Sequence, residues 1–167
     1  MEIRRAQETD LDLLVRLRLT FLSEIRDVEP AEIRVQIQEG TRAFIDEHHR
    51  SGQLLTWIAE DEGQTLGIVS VVLHDVPPLL EDGRTKEDYV INEYVIPSAR
   101  GRGVGRQLLQ AALESAQVLG VRQFRLVATP DGASMYRSEG FAPHDRFMAR
   151  SVPIDPITRE GVAEEAE

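Results

Sequence analysis

Cysteine is absent from the 167 residues, which excludes disulfides, thiolate metal sites and a cysteine nucleophile. Long apolar runs are missing as well, and no stretch approaches membrane-spanning length. The opening "MEIRRAQETD" is polar from its start and lacks the apolar core and small-residue cleavage site of a signal peptide. No membrane partner and a cytoplasmic location are the expectation. An excess of positive charge is lacking too: 19 Lys and Arg stand against 29 Asp and Glu, a formal net charge of -10. That balance argues against nonspecific nucleic-acid binding and is compatible with solubility or with attraction of a cationic substrate.

What is present fits one globular unit. A chain of 167 residues, 41% hydrophobic and 29% charged, is long enough for one real core and too short for two ordinary domains. Residues 1–152 read as a single domain with no internal repeat. The stretch "EGVAEEAE", Glu160 to Glu167, has almost no apolar surface to bury, so an acidic, disordered tail is expected over 153–167.

The order of elements is legible from periodicity. "EIRRA" reads as a first strand, and Thr9 or Asp10 can cap a helix carrying Leu11, Leu14, Val15, Leu22 and Ile25 at helical spacing. Pro30 suits the start of a second helix with Ile33, Ile37, Phe44 and Ile45 inward, an interruption at Gly40 and an end at Ser51 and Gly52. "LLTWIAEDEGQTLGIVSVVL" is two β-rich runs around a turn at Gly63, an antiparallel hairpin. A long loop, His74 to Asp88, leads to the strand "YVINEYVIP". A helix follows with Leu108, Leu109, Ala112, Leu113 and Ala116 on one face and Gly120 as its C-cap. "RQFRLVA", Arg122 to Ala128, is then a strand parallel to its predecessor. A short helix over Ala133 to Ser138 and a terminal hairpin, "GFAPHDRFMARSV", complete a mixed α/β sheet.

Between that strand and the long helix lie three glycines and three arginines within seven residues, Arg100, Gly101, Arg102, Gly103, Val104, Gly105 and Arg106. Glycines allow positive φ and close approach of backbone to a ligand, and a helix N-terminus aims unpaired N–H groups at it. That combination binds phosphate, and guanidinium forks suit phosphate oxygens. A dinucleotide fingerprint or a Walker loop starting at Gly101 each fails at Arg106.

The pattern Arg100-x-x-Gly103-x-Gly105 resembles the acyl-coenzyme A pyrophosphate loop of the GNAT superfamily of N-acetyltransferases. Its setting, "YVIPSARGRGVGRQLL", looks like that family's fourth strand, proline and third helix in register, and "ASMYRSEGF" is similar to its later tyrosine and Gly-Phe segment. The resemblance spans residues 2 to 152, with its motifs concentrated in 90 to 141. It implies a mostly antiparallel central sheet with a splayed parallel pair of fourth and fifth strands and flanking helices. It further implies direct transfer of an acetyl group from acetyl-coenzyme A to a primary amine of a small molecule or peptide. In this family thioester positioning falls to the fourth-strand backbone, here Val95, and the general acid to the tyrosine matched by Tyr136. The cofactor contacts fall to Arg100 through Arg106. Thr129 and Gly132 depart from the family's usual Asn and Ala; the Thr129 hydroxyl is the expected substitute contact. The resemblance admits a homodimer.

Glu93 is the candidate general base, because a carboxylate inside an apolar strand should have a raised pKa. Strand alternation sends Asn92 to the opposite face, so one of the two faces the acceptor and the other does not. The four histidines, His48, His49, His74 and His144, share no metal-ligand spacing, and no metal is expected. Trp57 and Phe21 have the periodicity of core residues. An acyl-coenzyme A binding module without transfer activity is the alternative; it needs Arg100 to Arg106 but not Tyr136.

Overall fold

The computed structural model describes residues 1–25, 31–78 and 85–144. The terminal hairpin beyond His144, the acidic tail and Pro30 lie outside them, as does most of the loop that precedes the fourth strand. Among the described residues five strands form one sheet in the order β1-β2-β3-β4-β5. They are β1 (Glu2–Arg5), β2 (Leu54–Asp61), β3 (Gln64–Asp75), β4 (Lys86–Val95) and β5 (Phe124–Arg125). The helices are α1 (Leu11–Ile25), α2 (Ala31–Arg50), α3 (Val104–Val118) and α4 (Ala133–Ser138). β1 to β4 pair antiparallel with their neighbours, and β4 pairs parallel with β5. This is the mixed sheet expected from the sequence. No helix among the described residues is long and apolar enough to cross a membrane.

Period-two alternation along β2 and β3 divides the core in two. Leu55, Trp57, Val69 and Val71 pack under Val104, Leu108, Leu109, Ala112 and Ala116 of α3. Leu54, Ile58, Ile68 and Val72 pack on the other face against Leu14, Val15 and Leu17 of α1 and Ile45 of α2. Successive residues serve opposite layers, as a sheet covered on both sides requires. Trp57 is core, as its periodicity predicts, with the Arg5 guanidinium 4.6 Å over its ring. A polar pair within the α1 and α2 layer, Thr56 and Ser70, is buried because the two hydroxyls bond each other at 2.8 Å.

Local chemistry sets most boundaries. A 3₁₀ turn, Glu8–Asp10, leads into α1, and the Asp10 carboxylate accepts the Gln7 N–H at 2.8 Å. Arg4 bonds both Asp10 and Glu60, tying β1 and β2 to the start of α1 and holding the Asp10 carboxyl below its usual range. The β2–β3 hairpin turns on Glu62 and Gly63, both at positive φ, the pairing that a two-residue turn of matching twist needs. α2 differs from expectation: it runs unbroken through Gly40, whose cost relative to alanine is only about 1 kcal/mol.

β5 is a second difference. The composition of residues 122–128 predicts a full strand, but pairing with β4 is limited to Asp88↔Phe124 and Tyr89↔Arg125. Beyond those pairs the two strands part. At their junction lies Asp88, 1% exposed, with neither carboxylate oxygen hydrogen-bonded. Its register partner on β3 is Leu73, part of the α3-side core. Burial pushes its pKa up to about 7, against the opposing pull of Arg125.

A carboxyl whose folded pKa exceeds its unfolded value destabilises the fold once the pH passes the unfolded value, and the penalty is complete above the folded one. Asp88→Asn should therefore match the wild type near pH 4. Its advantage should grow toward pH 7, reaching about 3–6 °C in Tm at pH 8. Thermal unfolding followed by circular dichroism at both pH values checks this; an advantage independent of pH would mean Asp88 stays ionised.

Candidate active site

The site begins with an irregularity in β4. Ile68 pairs with Tyr94 and Ser70 with Ile91, so Val69 alone faces both Asn92 and Glu93. This is a bulge, with Asn92 at φ +53°. Asparagine is among the few residues that tolerate the left-handed region. The extra residue resets the alternation. Val90 faces the α3 layer and Ile91 the α1 and α2 layer. Strict alternation would then place Glu93 with Ile91, but the bulge returns it to the α3 side while Tyr94 joins the α1 layer. The Asn92 amide oxygen is buried without a hydrogen-bond partner.

On the α3 side Glu93 meets two elements. A Cβ added to Gly105 in the first turn of α3 would stand 3.0 Å from Glu93 Oε1, a tight contact that the glycine avoids. From α4 the Tyr136 side chain interacts with the Glu93 carboxyl. Burial pushes the Glu93 pKa up to about 7, opposed by Tyr136. Burial, then the Glu93 charge, raises that of Tyr136 above the ordinary phenol value. Glu93 Oε2 is buried and unpartnered. The Tyr136 ring is fixed edge-on by Phe141, with centroids 5.9 Å apart.

α4 is positioned from both ends. Thr129 Oγ1 accepts the Gly132 N–H at 3.3 Å. An added Cβ at Gly132 would come within 3.0 Å of the Tyr136 ring, so the glycine leaves that ring room. At the other end Arg106 of α3 donates to Ser138 at 2.6 Å and pairs with Glu139 at 2.9 Å, and Gln110 donates to the same carboxylate at 3.0 Å.

The glycine loop lies at the end of the same strand. Gly101 and Gly103 have φ of +73° and +79°, and Gly103 is the N-cap of α3, with no side chain capping it. Gln107 N–H bonds back to Gly103 O at 3.2 Å, so the N–H groups of Val104, Gly105 and Arg106 precede the first helical bond. Nothing crowds Gly101, and only the Gln107 amide comes within 4 Å of a Cβ built at Gly103.

Val95 borders the gap between β4 and β5. Ile96 N–H bonds Leu66 O at 2.9 Å across to β3. Neighbouring strand residues present their polar groups to opposite edges, so Val95 presents its own toward β5. Its carbonyl accepts Arg100 Nε at 3.0 Å. The structure thus gathers Glu93, Val95, Gly105 and Tyr136 around one gap, with Gly101 to Gly103 at its end. Thr129 sits at the start of α4, Arg102 is exposed in the loop, and Arg100 and Arg106 are engaged by protein groups. The bulge and the partners of the two arginines were missed by periodicity; an asparagine inside a β-branched run was the one available signal. A cleft of about 570 Å³ lies elsewhere, between α1 and α2 on the other side of the sheet.

The site is thus a strand pair that parts beside a glycine-started helix, with a half-buried tyrosine and carboxyl set together. Residues 52–143 match the family model described as acetyltransferase (GNAT) domain, and the chain belongs to that family. It is 32% identical over 114 residues to a mycothiol acetyltransferase of Beutenbergia cavernae, covering 64% of this chain and 36% of that protein. The match thus spans about a third of that relative. A crystal structure of a predicted acetyltransferase with acetyl-CoA from Clostridium acetobutylicum superposes with a TM-score of 0.80 at 25% identity, over 90% of this chain and 95% of that one. A GCN5-related N-acetyltransferase from Ralstonia eutropha gives 0.78 at 26% identity, over 90% and 97%.

Gly105→Ala tests the contact between α3 and Glu93. The added methyl should cost about 1–3 kcal/mol, read as a fall of about 3–10 °C in Tm. An unchanged Tm would show that the Glu93 side chain gives way to the methyl or that the gain in helix propensity offsets the contact.

Proposed function

We propose that the protein transfers an acetyl group from acetyl-coenzyme A to a primary amine of a small molecule or peptide. The observation that carries this reading is the Glu93 carboxyl set against Gly105 in the first turn of an uncapped helix and interacting with Tyr136, beside the parted strands. The residues present fit coenzyme A. The N–H groups of Val104 to Arg106 and the open loop over Gly101 and Gly103 suit the pyrophosphate, and the Val95 edge suits the amides of the thioester arm. Bound there, acetyl-coenzyme A supplies an activated acetyl group and a thiolate leaving group.

The protein supplies proton management and orientation. Attack on the acetyl carbon needs a neutral amine, and the new C–N bond leaves a proton to be removed. Glu93, with a pKa near 7, accepts that proton, through water where the acceptor stands off. As the C–S bond breaks, Tyr136 donates its hydroxyl proton to sulfur and regains one from Glu93. The relay moves one proton from amine to thiol and returns both side chains to their starting state. The Val95 edge holds the thioester in line.

Calorimetric titration of acetyl-coenzyme A should give micromolar affinity for the wild type and none for Gly103→Glu, which puts bulk and negative charge in the loop. In thiol-release assays over a panel of small amines and peptides, kcat should rise with pH through about 7 as Glu93 loses its proton. Glu93→Gln should flatten that rise, and Tyr136→Phe should lower kcat about 10²-fold with affinity unchanged. Binding without thiol release from any acceptor would favour a binding module, and full activity in both variants would remove the relay.

A further inference from the structure

One carboxylate joins the end of α1 to the donor site. Glu24, in the last turn of α1, accepts the Tyr94 hydroxyl on Oε1 at 2.6 Å and Arg100 Nη2 on Oε2 at 2.5 Å. The same guanidinium gives its Nε to the Val95 carbonyl at 3.0 Å and stands 5.7 Å from the Tyr94 ring centroid. Phe21, one turn earlier on α1, packs against that ring at 6.0 Å. Arg100 is the first residue of the glycine loop, yet its side chain folds back along β4. Two of its N–H groups are taken, Nη2 by Glu24 and Nε by Val95, which fixes the guanidinium plane.

We propose that Glu24 is a positioning residue of the donor site: it locks Arg100 as a strut against the Val95 carbonyl, so that this arginine shapes the strand edge instead of neutralising the pyrophosphate. The inference rests on the acetyl-coenzyme A reading of the gap between β4 and β5. In that arrangement the phosphates are met by backbone N–H groups of the loop and α3, and the strut sets the edge on which the thioester arm lies. It also ties the end of α1 to the same strand. Glu24 and Arg100 are partly exposed, and such a pair adds little to stability. Its loss is read at the site.

A phosphate ligand and a strut predict opposite signs for Glu24→Gln. A strut requires Glu24→Gln and Arg100→Gln each to weaken coenzyme A binding by about fivefold, with the double variant no weaker than either alone, because the two act as one unit. Both should lower thiol release from acetyl-coenzyme A and from S-acetylpantetheine, which has the thioester arm without the pyrophosphate, by the same factor. Tyr94→Phe, which keeps the ring and loses one bond to Glu24, should weaken binding in the same direction. All four variants should unfold within a few degrees of the wild type. Tighter coenzyme A binding by Glu24→Gln, or an Arg100→Gln defect confined to the donor that carries phosphates, would overturn the inference and make Arg100 a phosphate ligand. Failure of the wild type to bind coenzyme A would instead overturn the donor-site reading itself.

Discussion

The extra residue in β4 is the constraint on which the site depends. At the bulge two residues of β4 oppose Val69 alone, and every side chain after it changes face relative to strict alternation. Glu93 therefore reaches the α3 layer, where Gly105 leaves room for it and the Tyr136 side chain interacts with it. Tyr94 reaches the α1 layer, where it is buried beside Phe21 and bonds Glu24. Left-handed backbone at a non-glycine residue costs about 1–2 kcal/mol, and asparagine is one of the residues that bear it most cheaply. The surrounding sheet holds that conformation because β4 is paired along its length on the β3 side.

The same strand loses its other neighbour. β5 pairs with β4 at two positions and then departs, so the edge of β4 near Val95 turns its N–H and C=O toward a gap. A sheet edge left unpaired inside a fold calls for another hydrogen-bonding partner. A chain with amide groups, such as the arm of an acyl carrier, suits that edge. The glycines beyond it let the loop turn and expose the first N–H groups of α3, which carry the positive end of the helix dipole. Burial then tunes the chemistry: with little water about it, Glu93 titrates near neutrality and not near its ordinary 4.5.

Much of this was legible in the sequence. Period-two runs at Leu54 to Leu73 and helical spacing at Leu108 to Ala116 identify the two halves of the α3-side core, because apolar periodicity reports burial directly. The loop is legible because glycine at Gly101 and Gly103 answers a local need for positive φ. The short pairing of β5 was not legible. Phe124, Leu126 and Val127 have strand propensity, and whether a strand pairs depends on where its neighbour goes, which no local property of those residues encodes. Gly40 misled for the converse reason: one glycine costs a helix only about 1 kcal/mol relative to alanine, too little to break a helix of this length.

The two flanking arginines mark the same boundary between local and tertiary. Their position beside the glycines suggests phosphate contacts, but Arg100 is taken by Glu24 and Val95, and Arg106 by Ser138 and Glu139. Side chains of that length choose partners from whatever the fold brings within reach, and Glu24 is 76 residues away in sequence. By itself the sequence determined the element order, the layered core and the glycine loop, since each follows from periodicity or from backbone freedom over a few residues. Only the tertiary structure decided which face Glu93 takes, where β4 and β5 part and which carboxylates hold the arginines. Those outcomes depend on register and on contacts between distant segments, which the free energy of the whole fold selects.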